Sequence, residues 1–405
     1  MDLLREGIEQ RAVVKTQLTR KLTLNGSTKA YPVYRVLLDW LFYNDQNDRI
    51  ATWISQYKSK HEGQIPSISN RNLYNDTIEG FIIESNPDAI RRTQTNIEMV
   101  DQREPGVVLS DGRIIDGNRR FTCLRRLART NSHFSYFETV ILDGSIETNA
   151  KTIKMLELSI QHGEESKVDY NPVDRLVGVY NDIVDTHLLS IEEYARSTNE
   201  SETDVRRRIE TAKLMVEFLD FINAPKQFYI ARDMQVTFPL EELLKLMKKC
   251  QSNDVSEKLK IAVFTNLMLQ TSTDMTRFVR NFKSIIGSDY QEVFFEEQKV
   301  LSDRLLQLLP PADEMSMDAI HKVIQSRTDL ANALSHSVEN AILRAKRVET
   351  RNRPIQLIEK ATGLVESIDV NILRKMNGSE FQSFVRQLSR LEDAIVLIKT
   401  DCERR

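Results

Sequence analysis

The sequence predicts an α+β domain near the N-terminal end, followed by a mainly α-helical remainder with a helix-turn-helix and a long helical C-terminal region. Thirteen glycines and ten prolines in 405 residues are too few for a turn-rich all-β protein. Segments rich in aromatic and β-branched residues, which are typical of strands, end near residue 142. Beyond Lys151 nearly every segment has apolar residues at helical spacing.

Composition excludes several classes of protein. The net charge of −3 excludes a uniformly basic, histone-like protein, although a local basic patch remains compatible with it. No run of 18 apolar residues is long enough to span a bilayer, and the first residues lack the pattern of a signal peptide. The three cysteines, Cys123, Cys250 and Cys402, are far apart and have no CxxC spacing. We therefore expect a cytoplasmic protein with no membrane partner, no disulfide framework and no zinc site.

The first half of the chain alternates strand and helix signals. Residues 1–30 are polar and of mixed charge, which indicates an N-terminal arm. The segment YPVYRVLLDWLFYN (31–44) predicts a strand that runs into a turn, and a polar loop at 44–49 precedes a helix at 50–60. Helices follow at 70–85 and after Asn86-Pro87-Asp88, where proline is suited to a first turn. An Asp-Gly pair at 111–112 between two apolar runs predicts a hairpin, and 137–142 predicts another strand.

The helix that begins near Arg119 has an unusual charge. Residues 111–129 contain six arginines and only two aspartates. The first turn of a helix has free backbone N–H groups and a partial positive charge, so Arg119 and Arg120 are unfavourable there unless an anion is bound. Glycine permits close approach of a ligand, and arginine binds phosphate with two hydrogen bonds. The sequence thus predicts a phosphate site; the alternative is that the arginines pair with Asp111 and Asp116 in a solvated turn.

Four segments together resemble a known family. The order strand, Gly117-Asn-Arg-Arg120, helix is similar to the central Gly-Glu-Arg-Arg motif of the ParB/sulfiredoxin fold, as found in chromosome- and plasmid-partition ParB proteins. Residues 31–49 resemble the first strand of that family and its Asn-Pro-x-x-x-Arg loop. Ile160-Gln161 and residues 170–174 resemble its Glu-Asn-Ile-Gln-Arg box and the following Asn-Pro-Ile-Glu segment. The resemblance covers about residues 31–220.

This resemblance implies a nucleotide-binding site for a nucleoside triphosphate such as CTP or ATP, with Mg²⁺ as a second expected ligand. The residues that match the family's site are Asn47, Arg49, Asp116, Gly117, Asn118, Arg119, Arg120 and Gln161, and Asn44 lies in the same loop. The chain departs from the family at Leu158-Ser159, where ParB proteins have the Glu-Asn that contacts phosphate and magnesium, and at His162 in place of arginine. An insertion that includes Glu164-Glu165 follows. Glu157 is then the candidate metal ligand, and Asn118 in the position of the sulfiredoxin cysteine excludes sulfinic acid reduction.

Residues 190–209 have the spacing of a helix-turn-helix. Ser190 and Glu193 form a capping-box pattern, and Asn199 occupies the turn position where glycine is usual. The second helix would present a set of polar side chains to duplex DNA: Thr203, Arg206, Arg207 and Lys213. An ordinary helical hairpin has the same spacing and is the alternative.

We therefore predict an N-terminal arm (1–30), a ParB/sulfiredoxin-like nucleotide-binding domain (31–165), a helix-turn-helix region (166–224), a helical region (225–309) and a C-terminal region (310–405). An apolar stripe from Phe381 to Ile398 predicts that the last region forms homodimers, unless it folds back on residues 240–300. The expected function is nucleotide-regulated DNA binding in partition, transcription regulation, a mobile element or phage defence. The alternative is a nucleotide-dependent enzyme, such as an NTPase, a nuclease or a small-molecule kinase, because one fold hosts many activities.

Overall fold

The structure, a computed structural model, describes residues 2–24, 27–144, 146–163 and 171–403. The chain divides into two compact units, Met1–Ile342 and Leu343–Arg405. The sequence pattern suggested a division near residue 310, whereas the two units divide inside one long helix.

The first unit contains a five-stranded mixed sheet. Its strands are β1 (Val13–Leu24), β2 (Ser27–Leu37), β3 (Gly106–Leu109), β4 (Ile114–Asp116) and β5 (Tyr136–Leu142). They lie in the order β1-β2-β5-β3-β4, and only the β3–β5 pair is parallel. The β3–β4 pair is the antiparallel hairpin predicted from the Asp-Gly turn.

The N-terminal arm predicted for residues 1–30 is instead largely strand. Residues 13–24 form β1, which pairs antiparallel with β2 at one edge of the sheet. Local sequence does not reveal this strand because its polar residues face solvent and its stability comes from pairing with β2.

Five helices accompany the sheet: α1 (Ala51–Lys60), α2 (Arg71–Ser85), α3 (Pro87–Val100), α4 (Asn118–Ala128) and α5 (Ile146–Gly163). Asn70 and Asn86 cap α2 and α3, and their side chains accept backbone hydrogen bonds from Leu73 and Ala89. Apolar residues on one side of the sheet pack with α2, α3 and α4, whereas residues on the other side pack with α5.

The rest of the first unit is helical. Its helices are α6 (Pro172–Val179), α7 (Ile191–Thr198), α8 (Glu202–Phe221), α9 (Phe228–Asp233), α10 (Thr237–Met247), α11 (Asn253–Met268), α12 (Met275–Asn281), α13 (Gln291–Leu306), α14 (Met317–Ser326) and the beginning of α15 (Thr328–Glu366). A π-helical turn at Tyr180–Asp185 follows α6. One apolar core runs through these helices, from Leu158 to Ala341.

The second unit contains the end of α15, then α16 (Val370–Leu373) and α17 (Gly378–Glu403). Its apolar side chains are unusually exposed. Of the twenty-seven large hydrophobic side chains that are exposed in the described residues, fifteen lie between Ile355 and Ile398. No described residue of α17 is buried. No helix in the described ranges is long and apolar enough to cross a membrane.

Candidate functional site

The turn between β4 and α4 requires glycine. Gly117 has a φ of +100°, in the left-handed region that side chains disfavour. A Cβ atom at this position would lie 2.8 Å from Cζ of Phe137, which is fully buried. Only glycine therefore fits between β5 and the start of α4.

Arg120 stabilises this turn through an ion pair and a hydrogen bond. Its Nη2 lies 3.1 Å from Oδ2 of Asp116, and Nη1 of Arg20 lies 2.9 Å from the same oxygen. Arg120 also donates to the carbonyl oxygen of Glu104, at 2.6 Å. For Arg120 and Asp116, the ion-paired turn that the sequence left as an alternative is the observed arrangement.

Arg119 is in a different environment. It is half-buried and makes no hydrogen bond or ion pair with any residue that the structure describes. Burial and the nearby charge of Arg49 lower the pKa of Arg119 to about 10, and Arg120 and Arg92 add to this effect. The arginines therefore create a positive potential at the start of α4, and no carboxylate among the described residues balances the charge of Arg119.

Asn118, the first residue of α4, adds a second unsatisfied group. Its Oδ1 atom is buried and has no hydrogen-bond partner among the described residues. A buried polar atom normally has such a partner, so an unsatisfied one beside an unpaired arginine marks this turn as incomplete by itself.

The loop before α1 contributes Asn47 and Arg49. Asn47 is buried, and its Oδ1 accepts a hydrogen bond of 3.0 Å from the backbone N–H of Arg49. Asn44 does the same for Gln46, at 3.1 Å. Both asparagines thus shape the loop, while Arg49 is close enough to Arg119 to affect its pKa.

Glu157, the candidate metal ligand, lies in a buried charge cluster that the sequence did not reveal. Nζ of Lys154 lies 2.7 Å from Asp48, 3.5 Å from Asp182 and 4.0 Å from Glu157. Burial opposes the charge on Lys154, but the carboxylates, Asp48 first, raise the pKa of Lys154 well above its ordinary value. Nδ2 of Asn44 donates to Glu157 at 3.5 Å.

Among the residues described, no group of three or more His, Cys, Asp or Glu side chains has the geometry to hold a metal ion. Gln161 lies on α5, but its side chain is outside the described part. Glu164 and Glu165 are also outside it. The cluster could be found only from the fold, since its members come from a loop, α5 and a π-helical turn.

The helices α7 and α8 are joined by a three-residue turn. Oγ of Ser190 accepts from the N–H of Glu193 at 3.1 Å, and Glu193 accepts from the N–H of Ser190 at 2.9 Å, which completes the capping box. Asn199 has a φ of +55°, as its position in the turn required. Val205 and Ile209 of α8 are buried in the helical core.

The outer face of α8 presents all four of the predicted DNA-contacting residues, which are Thr203, Arg206, Arg207 and Lys213. Both arginines of this set form ion pairs within the helix: Arg206 with Glu202 at 3.2 Å and Arg207 with Asp204 at 2.8 Å. These side chains are about half exposed, so the ion pairs contribute only about 0–1 kcal/mol each. The arginines can exchange them for phosphate at little cost.

Comparisons with known proteins give one structural match of interest. No family model matches the chain, and no curated protein matches it. Among solved structures, it matches the C2221 form of a Pnob8-like ParB-N domain with 14% identity, over 66% of this chain and 97% of that chain, at a TM-score of 0.31. Both the identity and the TM-score are too low to assign a function.

Proposed function

We propose that this chain is a ParB-like DNA-binding protein whose sheet domain binds the phosphate groups of a nucleotide at the start of α4. The observation that carries the proposal is Arg119, a half-buried arginine with no acidic partner among the described residues. A buried charge without a partner is destabilising, and an anion at the helix start would offset that cost.

The surrounding residues suit a phosphate. The N–H groups at the start of α4 and the helix dipole favour an anion, and Gly117 allows the turn that begins this helix. Arg119 can bind two phosphate oxygens at once, and Arg49 adds a second positive charge. A bound nucleotide would supply a triphosphate chain for these groups. The described residues offer no comparable set of ligands for its metal ion.

Calorimetric titration of the full-length protein with CTP and ATP, each with and without Mg²⁺, tests this site. Arg119→Ala should weaken binding of the nucleotide by about 1.5–3 kcal/mol, the value of a hydrogen bond to a charged group. Arg126→Ala is the matched control, because Arg126 is an exposed arginine on the same helix, and its side chain donates a hydrogen bond to Gln94.

Arg120→Ala should lower the free energy of unfolding instead, because Arg120 holds Asp116 and Glu104. If the wild type binds no nucleotide, or if the Arg119→Ala protein binds as tightly, the site is only a turn.

We propose further that the outer face of α8 contacts the phosphates of duplex DNA. Replacing both Arg206 and Arg207 by alanine should weaken binding to all sequences and flatten the salt dependence by about one unit per lost contact. Anisotropy of a labelled duplex, measured over a series of KCl concentrations, gives this slope.

The control is Arg277→Ala with Arg280→Ala, two exposed arginines on α12. An unchanged slope in the α8 variant would show that DNA binds elsewhere. A wild type that binds no duplex at low salt would remove DNA binding from the proposal.

A further inference from the structure

The first two strands carry a charge that differs from the rest of the chain. Residues 10–38 contain six lysines and arginines and no aspartate or glutamate, in a chain whose net charge is −3. This segment forms β1 and β2, at one edge of the sheet. Charge of one sign on a single surface element is typical of a site for a polyanion.

Half of this strand pair extends past the rest of the sheet. β2 pairs with β5 only through residues 33–37, whereas residues 27–32 pair with residues 19–24 of β1 alone. We call residues 19–24 and 27–32 the basic ribbon. Its inner face is anchored by the buried Leu22 and by Arg20, which is bound to Asp116.

The outer face of the basic ribbon is made of small polar side chains around a lysine. Thr19, Lys21 and Thr23 of β1 share this face with Thr28, Ala30 and Pro32 of β2, and all of them except the half-buried Pro32 are exposed. These small side chains keep the ribbon thin. A two-stranded ribbon fits the major groove of B-DNA, which is about 12 Å wide.

Three lysines of this strand pair are available for a ligand. Lys15, Lys21 and Lys29 are exposed and make no ion pair with any residue in the described ranges. Lys21 lies on the outer face, whereas Lys29 pairs with Leu22 and lies on the inner face. The arginines of α8, by contrast, are held by acidic neighbours in the same helix. The strand pair therefore has a stronger uncompensated charge than the helix that the sequence singled out.

The composition of the outer face favours duplex DNA over other polyanions. A segment that inserts into a membrane surface needs large apolar or aromatic side chains beside its lysines, and single-stranded nucleic acid is bound by stacking on exposed aromatic rings. The outer face of the basic ribbon has neither. Lysine and threonine are suited to the phosphate oxygens of a duplex.

We propose that the basic ribbon is a DNA-contacting surface of the sheet domain, separate from α8, and that Lys21 on its outer face and Lys29 on its inner face bind duplex phosphates, with Lys15 beside Lys21. This surface goes beyond the function proposed above. It requires neither the nucleotide site nor contacts from α8.

The test measures anisotropy of a labelled 30-base-pair duplex of mixed sequence with the full-length protein, from 50 to 300 mM KCl. Lys21→Ala with Lys29→Ala should reduce the slope of log affinity against log salt by about 1.8 units, at roughly 0.9 per lost phosphate contact. Affinity at 100 mM KCl should fall at least tenfold. Lys21→Arg with Lys29→Arg keeps the charge and should bind like the wild type.

The matched control is Lys58→Ala with Lys60→Ala, two exposed lysines at the end of α1. It should leave the slope unchanged. An unaltered slope in the ribbon variant overturns the proposal, as does binding to phosphatidylserine vesicles without binding to the duplex. The α8 variant, measured alongside, separates the two surfaces: loss of slope in the ribbon variant alone supports this proposal and removes α8 from the interface.

Discussion

Arg119 and Arg120 are neighbours with the same side chain, and their surroundings give them opposite energetic roles. Arg120 stabilises the turn through Asp116 and the carbonyl of Glu104. Arg119 is half-buried and has no acidic partner in the part of the chain that the structure describes, so its charge costs free energy in the absence of a ligand. A site of this kind exchanges some stability for affinity, which is usual where a protein binds an anion.

Asp174 is a second residue whose surroundings have an energetic consequence, because they raise the pKa of its carboxyl group. Its Oδ1 accepts a hydrogen bond of 3.0 Å from the N–H of Thr52 at the start of α1, so it joins the sheet domain to α6. Burial raises the pKa of Asp174 from 3.8 to about 7, against smaller opposing effects of Thr52 and Arg232. The folded protein therefore retains this proton over a range of pH in which the unfolded chain has lost it.

We expect the free energy of unfolding to fall as pH rises from about 4 to 7, by about 1.4 kcal/mol per pH unit from this group, and to level off above its folded pKa. Asp174→Asn keeps the acceptor for Thr52 and removes the titration, so this part of the slope should disappear. Urea unfolding of both proteins at pH 5, 6, 7 and 8 measures the difference. Parallel curves for the two proteins would contradict the raised pKa.

At the scale of elements, local sequence signals predicted those parts of the fold that local chemistry determines. The Asp-Gly hairpin, the Pro87 helix start and the Ser190 capping box each depend on residues a few positions apart. β1 was missed because its partner strand determines its conformation, and the Lys154 cluster was missed because Asp48, Lys154 and Asp182 are distant in sequence. The positive charge of residues 10–38 is evident in the sequence. That these residues form one surface could be inferred only from the pairing of β1 with β2.

The α7–α8 turn gives a test at this scale. Asn199 has a φ of +55°, where a β-branched residue is strained. Asn199→Val should destabilise the protein by about 1–2 kcal/mol, whereas Asn199→Gly should be nearly neutral. Thermal unfolding of the three proteins makes the comparison. Equal stability of the valine and glycine variants would mean that the turn has another conformation in solution.

At the scale of the whole molecule, the main feature of the second unit is its large number of exposed apolar side chains. Fifteen large apolar side chains between Ile355 and Ile398 are exposed, and such a concentration of exposed apolar residues is typical of a surface that binds a partner. The stripe of α17 has alternating steps of three and four residues, from Phe381 and Phe384 to Ile395 and Ile398. This is the spacing of helices that pack against one another. We propose a homodimer through this unit.

Light scattering should therefore give the mass of a dimer for the full-length protein. Leu357→Glu with Leu388→Glu places charges on the two exposed stripes and should give monomers, as should a chain that ends at Ile342. Val293→Glu with Val300→Glu, at two exposed valines of α13, is the control. A monomeric wild type, or a shortened chain that still dimerises, would place the contact elsewhere or remove it.

The position of β1 at the edge of the sheet has one more consequence, for solubility. An edge strand of twelve residues exposes a row of unpaired backbone groups to which the strand of another molecule can add. In β1, Lys15 and Lys21 and the irregular pairing between Lys15 and Thr19 interrupt that row. Lysines on an edge strand repel an approaching copy that carries the same charges. The residues proposed to attract DNA would thus also prevent aggregation, and replacing them all by apolar residues would be expected to produce sheet-to-sheet aggregates before any change in the fold.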